Sequence, residues 1–273
     1  GIRSTENYER TTGKDLLESG AIRKAIAHCV DRQAIADVVQ WGQGIVAHSY
    51  VPPNHPMYGG DKVTIYAFDP DQGRSILSSL GWEVNDSTWV RSRDSVPLSL
   101  RYSTDLSDDY SGRLRQTLAE LIRANLRLCG IDLIVEPRSA QEMYAEWPEG
   151  VIFGRKFDLA EYAWLLPGKP RCELYITEQI TENGVEGGIN STGYSNPEFD
   201  TTCDQAHRAL YRVEALQRHQ MAQKLFSDDL PSLPLFFHLR IGVARPELIG
   251  FSIDPTHPSP LWNIESLDLY DDK

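Results

Sequence analysis

Leu98-Ser99-Leu100-Arg101-Tyr102 and Ile131-Asp132-Leu133-Ile134-Val135-Glu136 are two runs in which apolar and polar residues alternate. Alternation at period two is the pattern of a half-buried strand. Between them, Leu114, Leu118, Leu121, Ile122 and Leu126 recur at helical spacing, with Arg113, Arg115, Glu120 and Arg123 on the other side. Gly130 ends that helix one residue before the second strand, as a glycine that tolerates a left-handed turn does. Strand, helix and strand with short joints make a βαβ unit, which implies a parallel pair joined by a right-handed crossover. The fold class that follows is α/β, a mixed sheet flanked by helices.

Outward from this unit the helix signals are local and clear. Residues 21–30 carry an apolar stripe at helical spacing, and Asp31 reads as the N-cap of a second helix through Ile35, Val38 and Val39, stopping at Gly42. Asp69-Pro70 is a cap followed by proline at the first helical position, and that helix runs to Gly81. Ser139 and Glu142 form a capping box. Phe157 to Trp164 reads as a third strand, and residues 165–196 show no periodicity, a length of unstructured chain that points to function or disorder. Asn196-Pro197 caps a helix through Leu210, a further helix follows from Val213, and Leu235–Leu239 and Ile241–Arg245 read as closing strands.

The chain has 273 residues, 41% of them apolar and 24% charged, which is globular composition with room for a substantial core. The formal net charge of −12 argues against nucleic-acid or anionic-membrane partners, which select a basic face. No apolar run approaches a membrane span, and the polar start Gly1-Ile2-Arg3-Ser4-Thr5 is not a signal peptide. The first helix is already under way by Ala21 with no strand before it, so a fragment or processed product is expected. The four cysteines form no CxxC pair. Cys29 and Cys129 lie on apolar helical ground and read as buried small hydrophobes. Cys172 and Cys203 bracket the non-periodic loop, where bridged and free states both remain open from the residues alone.

Catalytic motifs fail one by one: there is no G-x-S-x-G, H-E-x-x-H, Walker A or G-x-G-x-x-G. Gly42-Gln43-Gly44 follows a helix C-terminus, the wrong dipole end for phosphate. The seven histidines do not fall at metal-ligand spacing. Asp105, Asp108 and Asp109 form the densest acidic group, and their place before the long helix reads as capping rather than acid–base chemistry.

A resemblance gives these pieces a function. Ile22 to Ile35, Val51-Pro52-Pro53-Asn54-His55-Pro56, Tyr66-Ala67-Phe68-Asp69-Pro70-Asp71, Leu80-Gly81-Trp82 and Leu128-Cys129-Gly130-Ile131-Asp132-Leu133 occur in that order. Phe157-Asp158-Leu159, Gly193-Tyr194-Ser195-Asn196-Pro197-Glu198-Phe199-Asp200, Leu230-Pro231-Ser232-Leu233-Pro234-Leu235 and Ile249-Gly250-Phe251 follow. In sequence and spacing they resemble the family 5 extracytoplasmic solute-binding proteins of ABC importers, the dipeptide, oligopeptide and nickel binder group.

That resemblance implies a two-lobed protein of the periplasmic-binding-protein type (type II, cluster C) that closes on its ligand. Residues 1–251 resemble the C-terminal, ligand-binding lobe. Residues 252–273 resemble the tail that returns to an N-terminal lobe not contained in this chain, so that tail is expected to be disordered or packed differently. The implied partners are a peptide or other small solute, an ABC permease in the membrane and the protein's own N-terminal lobe. No nucleic acid, cofactor, metal or catalytic residue is expected. The location implied is extracytoplasmic, periplasmic or lipid-anchored, with the signal segment outside this chain.

In peptide binders of the family, an aromatic after the Phe-Asp-Leu strand is followed three positions on by an aspartate that pairs with the peptide amino group. Trp164 matches the aromatic, but Pro167 stands where the aspartate would be. The candidate ligand-binding residues are therefore Tyr162, Trp164, Leu166, Pro167, Lys169 and Arg171, with Tyr162 and Trp164 also able to serve as core and the two cations as plain loop charges. The 172–203 segment matches a loop that carries a disulfide in some relatives, so a Cys172–Cys203 bridge is implied. A ligand-sensing domain of a regulator built on the same fold is the alternative function. A hydrolase using a pair such as Ser195 and His207 ranks below it.

Overall fold

The computed structural model describes residues 17–84, 87–107, 109–164, 168–180, 188–254, 257 and 259–270. Helices α1 (Gly20–Cys29) and α2 (Arg32–Val39) lead to β1 (Ile45–Val46), and α3 spans Pro70–Ser79. A small antiparallel sheet of β2 (Glu83–Val84), β3 (Arg91–Arg93) and β4 (Val96–Pro97) precedes β5 (Ser99–Asp105), α4 (Tyr110–Leu128) and β6 (Asp132–Arg138). Helix α5 (Ala140–Tyr144) and strand β7 (Leu159–Ala160) follow. Then come α6 (Pro197–Arg208), α7 (Arg212–Asp229), β8 (Phe236–Phe237), β9 (Leu248–Ile249) and β10 (Asp268–Leu269).

The βαβ unit forms as its periodicity predicts. β5 and β6 pair in parallel from Ser99↔Asp132 to Asp105↔Arg138, and β7 joins the other side of β5 in parallel at Tyr102↔Leu159 and Ser103↔Ala160. Helix α4 buries Leu118, Ile122 and Leu126 and leaves Arg113, Glu120 and Arg123 exposed. Arg115, read from spacing as an outer residue, instead bends back to Asp105 at 3.4 Å. The antiparallel pairings lie in separate small sheets rather than in this one.

The main core joins α1, α3 and α4 to the sheet, with Leu77, Leu98, Leu100, Leu126 and Ile131 fully enclosed. Truncating any of these to alanine is worth about 2–5 kcal/mol, because the vacated volume only partly collapses. A second core holds Tyr50, Tyr175, Phe199 and Phe226 between the 172–203 loop and helices α6 and α7.

Capping follows the sequence closely. Asp31 accepts from Ala34 N, Asp69 from Gln72 N, Asn196 from Glu198 N and Phe199 N, and Ser139 and Glu142 close their reciprocal box. Of the three aspartates read as capping, Asp109 accepts from Gly112 N at 2.8 Å, and that bond holds its carboxyl below the usual range. Asp105 does not cap. It is buried against Arg115. Asp108 lies outside the described residues.

Three expectations change. Cys29 and Cys129 are not free small hydrophobes but a disulfide, with Cα atoms 6.2 Å apart across 100 residues of sequence. The ends of α1 and α4 converge there against α3, where Gly73 leaves no side chain in the way: a Cβ on it would lie 2.4 Å from Cys29 Sγ. The third strand narrows from Phe157–Trp164 to β7. Of the two closing strands only β8 forms among the described residues, antiparallel to β1, and past it Leu239 N turns to Gln40 Oε1 at 3.0 Å instead of a strand partner. Among the described residues, 241–245 form no strand. The described part of the tail folds back on the preceding segment, with β10 antiparallel to β9 and Asn263 Nδ2 donating to Gly250 O at 2.8 Å. The Cys172–Cys203 bridge is present, with Cα atoms 5.8 Å apart.

Two stability outcomes follow. Chain-entropy scaling assigns about 4.7 kcal/mol to a loop of about 100 residues and about 3.7 to one of about 30. Cys29→Ala/Cys129→Ala is therefore expected to lower unfolding free energy about 1 kcal/mol more than Cys172→Ala/Cys203→Ala in urea denaturation; the reverse order would contradict the placement of the long bridge. Gly73→Ala should cost about 1–3 kcal/mol by overpacking against the disulfide. A melting temperature unchanged by that substitution would mean that α3 does not pack on the bridge.

Candidate functional site

Asp158 sets the geometry of the site. Its carboxylate is buried, accepts the Arg101 N–H at 2.9 Å and lies 3.7 Å from Arg101 Nε, which anchors the start of β7 beside β5. Glu161 N then donates to Ser103 O at 3.2 Å, extending the ladder by one bond past β7. The chain therefore leaves the carboxyl edge of the parallel sheet at residues 162–164, the edge where open α/β sheets form ligand crevices.

A cavity of about 770 Å³ takes in this edge. Its lining includes Phe157–Trp164 with Tyr102 of β5, the Leu230–Arg240 segment, Arg23, Ile26 and Val30 of α1, and Leu118, Ile122 and Leu126 of α4. Ser49, Tyr50 and Asn54 from the segment after β1 line it too, as do Tyr175 and Thr192 from the 172–203 loop. Its size and largely apolar, aromatic lining with a few polar groups are those of a small-molecule or peptide-side-chain site.

The charged groups at this edge are mutually committed. Glu161 accepts from Thr104 Oγ1 at 2.9 Å and lies 3.9 Å from Arg115 Nε; burial raises its carboxyl above the usual range, against the pull of Thr104 and Arg115. His238, also on the wall, is held below the ordinary imidazole value by burial and by Arg115. Tyr50 differs from these. It is buried in the cavity lining, packs edge-on to Phe226 at 5.1 Å, and its hydroxyl has no hydrogen-bond partner among the described residues.

The residues singled out from sequence divide three ways. Tyr162 and Trp164 both line the cavity and meet edge-to-face at 5.7 Å. The Tyr162 hydroxyl bonds Ser191 Oγ at 2.5 Å, which ties the strand to the 172–203 loop. Lys169 and Arg171 do not line the cavity: Lys169 is exposed, and Arg171 Nε is paired with Glu173 Oε1 at 2.7 Å. Leu166 and Pro167 lie outside the described residues. The pair raised for a hydrolase is not assembled, since Ser195 Oγ accepts from Thr177 and His207 Nε2 faces Cys172 and Glu173. Sequence reasoning missed Tyr50, Tyr175 and His238. For Tyr50 the available signal was its position directly before the Val51-Pro52-Pro53 stretch.

Comparison with known proteins places this architecture. The chain is 24% identical over 243 residues to the oligopeptide-binding protein OppA of Bacillus subtilis, covering 89% of this chain and 42% of that protein. It is 23% identical over 245 residues to the peptide transport periplasmic protein SapA of Salmonella typhimurium, covering 89% and 41%. The oligopeptide binding protein from Thermus thermophilus, solved with a pentapeptide, superposes with a TM-score of 0.75 at 22% identity, over 87% of this chain and 41% of that one. The chain thus spans about two fifths of the length of the curated relatives it matches. The family model described as bacterial extracellular solute-binding proteins, family 5 Middle, matches residues 4–171. That match covers more than half of the chain, and the protein belongs to the family 5 bacterial extracellular solute-binding proteins.

Proposed function

We propose that this chain is the C-terminal lobe of the substrate-binding component of an ABC importer. In this reading it works outside the cytoplasm, captures a peptide or similar small solute against an N-terminal lobe, and delivers it to a membrane permease. The observation that carries the reading is the cavity lined by Tyr162, Trp164 and residues 230–240, reached where the chain leaves the carboxyl edge of the parallel sheet. Such a component works by population shift: a ligand that touches both lobes favours the closed form by its differential affinity for it.

The lining constrains the ligand. Of the two acidic groups in the lining, Asp158 accepts the Arg101 N–H and Glu161 is shared by Thr104 and Arg115, and the sequence offers Pro167 where the resemblance would put a carboxylate to meet an amino terminus. Aromatic and apolar contacts from Trp164, Tyr162 and Tyr175 then supply most of the grip. The unpartnered Tyr50 hydroxyl provides a donor for a carbonyl.

With one lobe of the binding site in this chain, affinity for short peptides is expected near 1 mM, about −4 kcal/mol. Titration calorimetry with unblocked di- to pentapeptides and their N-acetylated forms tests this. Acetylation should change affinity less than tenfold, whereas a loss of a hundredfold would show that an amino-group anchor exists after all. Absence of binding for every peptide would sink the peptide reading. Trp164→Ala should weaken binding about tenfold, as truncating a buried aromatic anchor does. Asp158→Ala, which leaves the Arg101 amide without its acceptor, should cost about 1–3 kcal/mol of stability and weaken binding as well. Unchanged affinity in Asp158→Ala would remove the argument that this carboxylate positions the wall.

A further inference from the structure

His219 of α7 lies at a seam where α6, the 168–173 stretch and the segment after β1 come together. It is 6% exposed, and its Nδ1 is enclosed with no hydrogen-bond partner among the described residues. A neutral imidazole can leave a bare lone pair there at modest cost, whereas a protonated one has to bury an N–H without an acceptor. The groups around it do not help it hold a proton. On α6, the His207 ring stands 5.8 Å away between centroids and keeps its Nε2 3.4 Å from Glu173 Oε2. The other oxygen of Glu173 is paired with Arg171 at 2.7 Å, and Lys169 adds a positive charge on the same stretch. His55, on the segment after β1, accepts the Met57 N–H at Nδ1 at 3.0 Å, so its Nε2 carries the proton that faces Gly168 O at 3.0 Å. The 60–62 turn brings Lys62, which donates to Gln220 Oε1 at 2.8 Å, and Asp61, which is exposed. Burial, His207, His55 and Lys169 all push the His219 pKa down, to about 4, and Glu173 alone pulls it up.

The same stretch of α7 holds the 57–59 segment in place. Gln223, one turn on from His219, accepts the Gly59 N–H at 2.9 Å and donates to Met57 O at 2.7 Å and to His219 O at 3.0 Å. Gln220 donates to Tyr58 O at 3.1 Å. The docking is thus a few side-chain amide bonds beside an enclosed imidazole, with no strand ladder to back it. Just upstream, Pro52 and Asn54 of the same segment line the cavity. The Cys172–Cys203 bridge ties the 172–175 turn to α6 independently, so that turn does not depend on these bonds.

We propose that His219 is a proton-operated latch: taking up a proton there releases the 55–59 segment from α7 and loosens the part of the cavity lining that this segment carries. In the docked form the ring is enclosed and binds its proton weakly. In the released form it meets water and returns to the ordinary imidazole value of about 6.5. Acid therefore favours release, and the docked form is fully favoured above about pH 6.5 and loses that advantage as the pH falls toward about 4. With these two values the ratio of released to docked form rises about tenfold between pH 7.5 and pH 5.5. The latch is a property of the seam and holds whatever solute the cavity takes.

The test is amide hydrogen exchange of the whole chain at pH 7.5 and pH 5.5, corrected for intrinsic rates and read by mass spectrometry on peptides covering 55–59, with β5 and β6 as internal reference. Protection of 55–59 is expected to fall about tenfold at the lower pH, while the reference changes less than twofold. His219→Phe and His219→Gln, which differ in polarity but cannot take the proton, should each hold the protection of 55–59 within twofold over that range. His55→Gln should leave the fall in place, which separates the latch from titration of the segment's own histidine. In the wild-type chain the His219 ring proton resonance should titrate below about pH 5, a readout that needs no variant to fold. A fall that survives in the His219 variants, a fall that His55→Gln abolishes, an equal loss in β5 and β6, no fall in the wild-type chain, or a His219 midpoint near pH 6.5 would each overturn the latch.

Discussion

The buried carboxylate of Asp158 on the backbone of Arg101 is the constraint from which the rest of the site follows. β7 pairs with β5 over two residues only, too few to fix a strand by ladder bonds alone. The carboxylate adds a charge-assisted acceptor at the start, and Glu161 N adds a bond at the end. Together they fix where residues 162–164 leave the sheet, and hence which way the aromatic wall faces. The Phe-Asp-Leu stretch is thus explained physically. Phe157 sits in a small core with Met143 and Ile152, Asp158 pins the backbone, and Leu159 pairs with Tyr102.

Elsewhere arginine side chains do the work that sheet ladders do in more regular proteins. Arg32 is nearly buried and donates to Ala47 O at 2.6 Å, Tyr66 O at 2.7 Å and Pro234 O at 3.0 Å, joining three segments far apart in sequence. Burial brings its pKa down to about 10, so it stays charged at neutral pH. Arg91 similarly holds Trp82 O and Cys129 O at the ends of α3 and α4, and Arg23 holds Asp229 O and Leu230 O at the end of α7. A guanidinium suits this role because its donors are planar and fixed, and carbonyls at helix ends carry partial negative charge. Removing one such side chain leaves several buried carbonyls unpaired at once, a larger cost than one lost hydrogen bond.

What was legible in the sequence was local. Asp31, Asp69, Ser139 and Asn196 cap as read, because a cap is decided within three residues. The βαβ unit was legible because its two periodicities differ. Strand lengths were not. Phe157–Trp164 alternates well enough for a strand, yet beyond Glu161 it is drawn off by Tyr162 bonding to Ser191 and Trp164 packing on Tyr162 and Phe153. The Cys29–Cys129 bridge was illegible because each cysteine reads locally as a good helix-face hydrophobe and nothing short-range links them. In the site, the aromatic pair on β7's trailing segment could be found by resemblance. Tyr50, Tyr175 and His238 reach the cavity from segments separated by more than sixty residues each, and only the tertiary fold brings them together.

The placement of the 172–203 loop ties these scales to one another. It contains three of the cavity's lining residues, Leu174, Tyr175 and Thr192, and its attachments among the described residues include the disulfide to α6, the Tyr194 hydroxyl to Asp229 Oδ2, Ser191 to Tyr162, and Tyr175 through its hydroxyl to Ser232 at 3.1 Å. The last two attachments land on two segments of the cavity lining, residues 157–164 and 230–240. The cavity's shape is then set jointly by the Asp158 pin on one side and by the staple on the other.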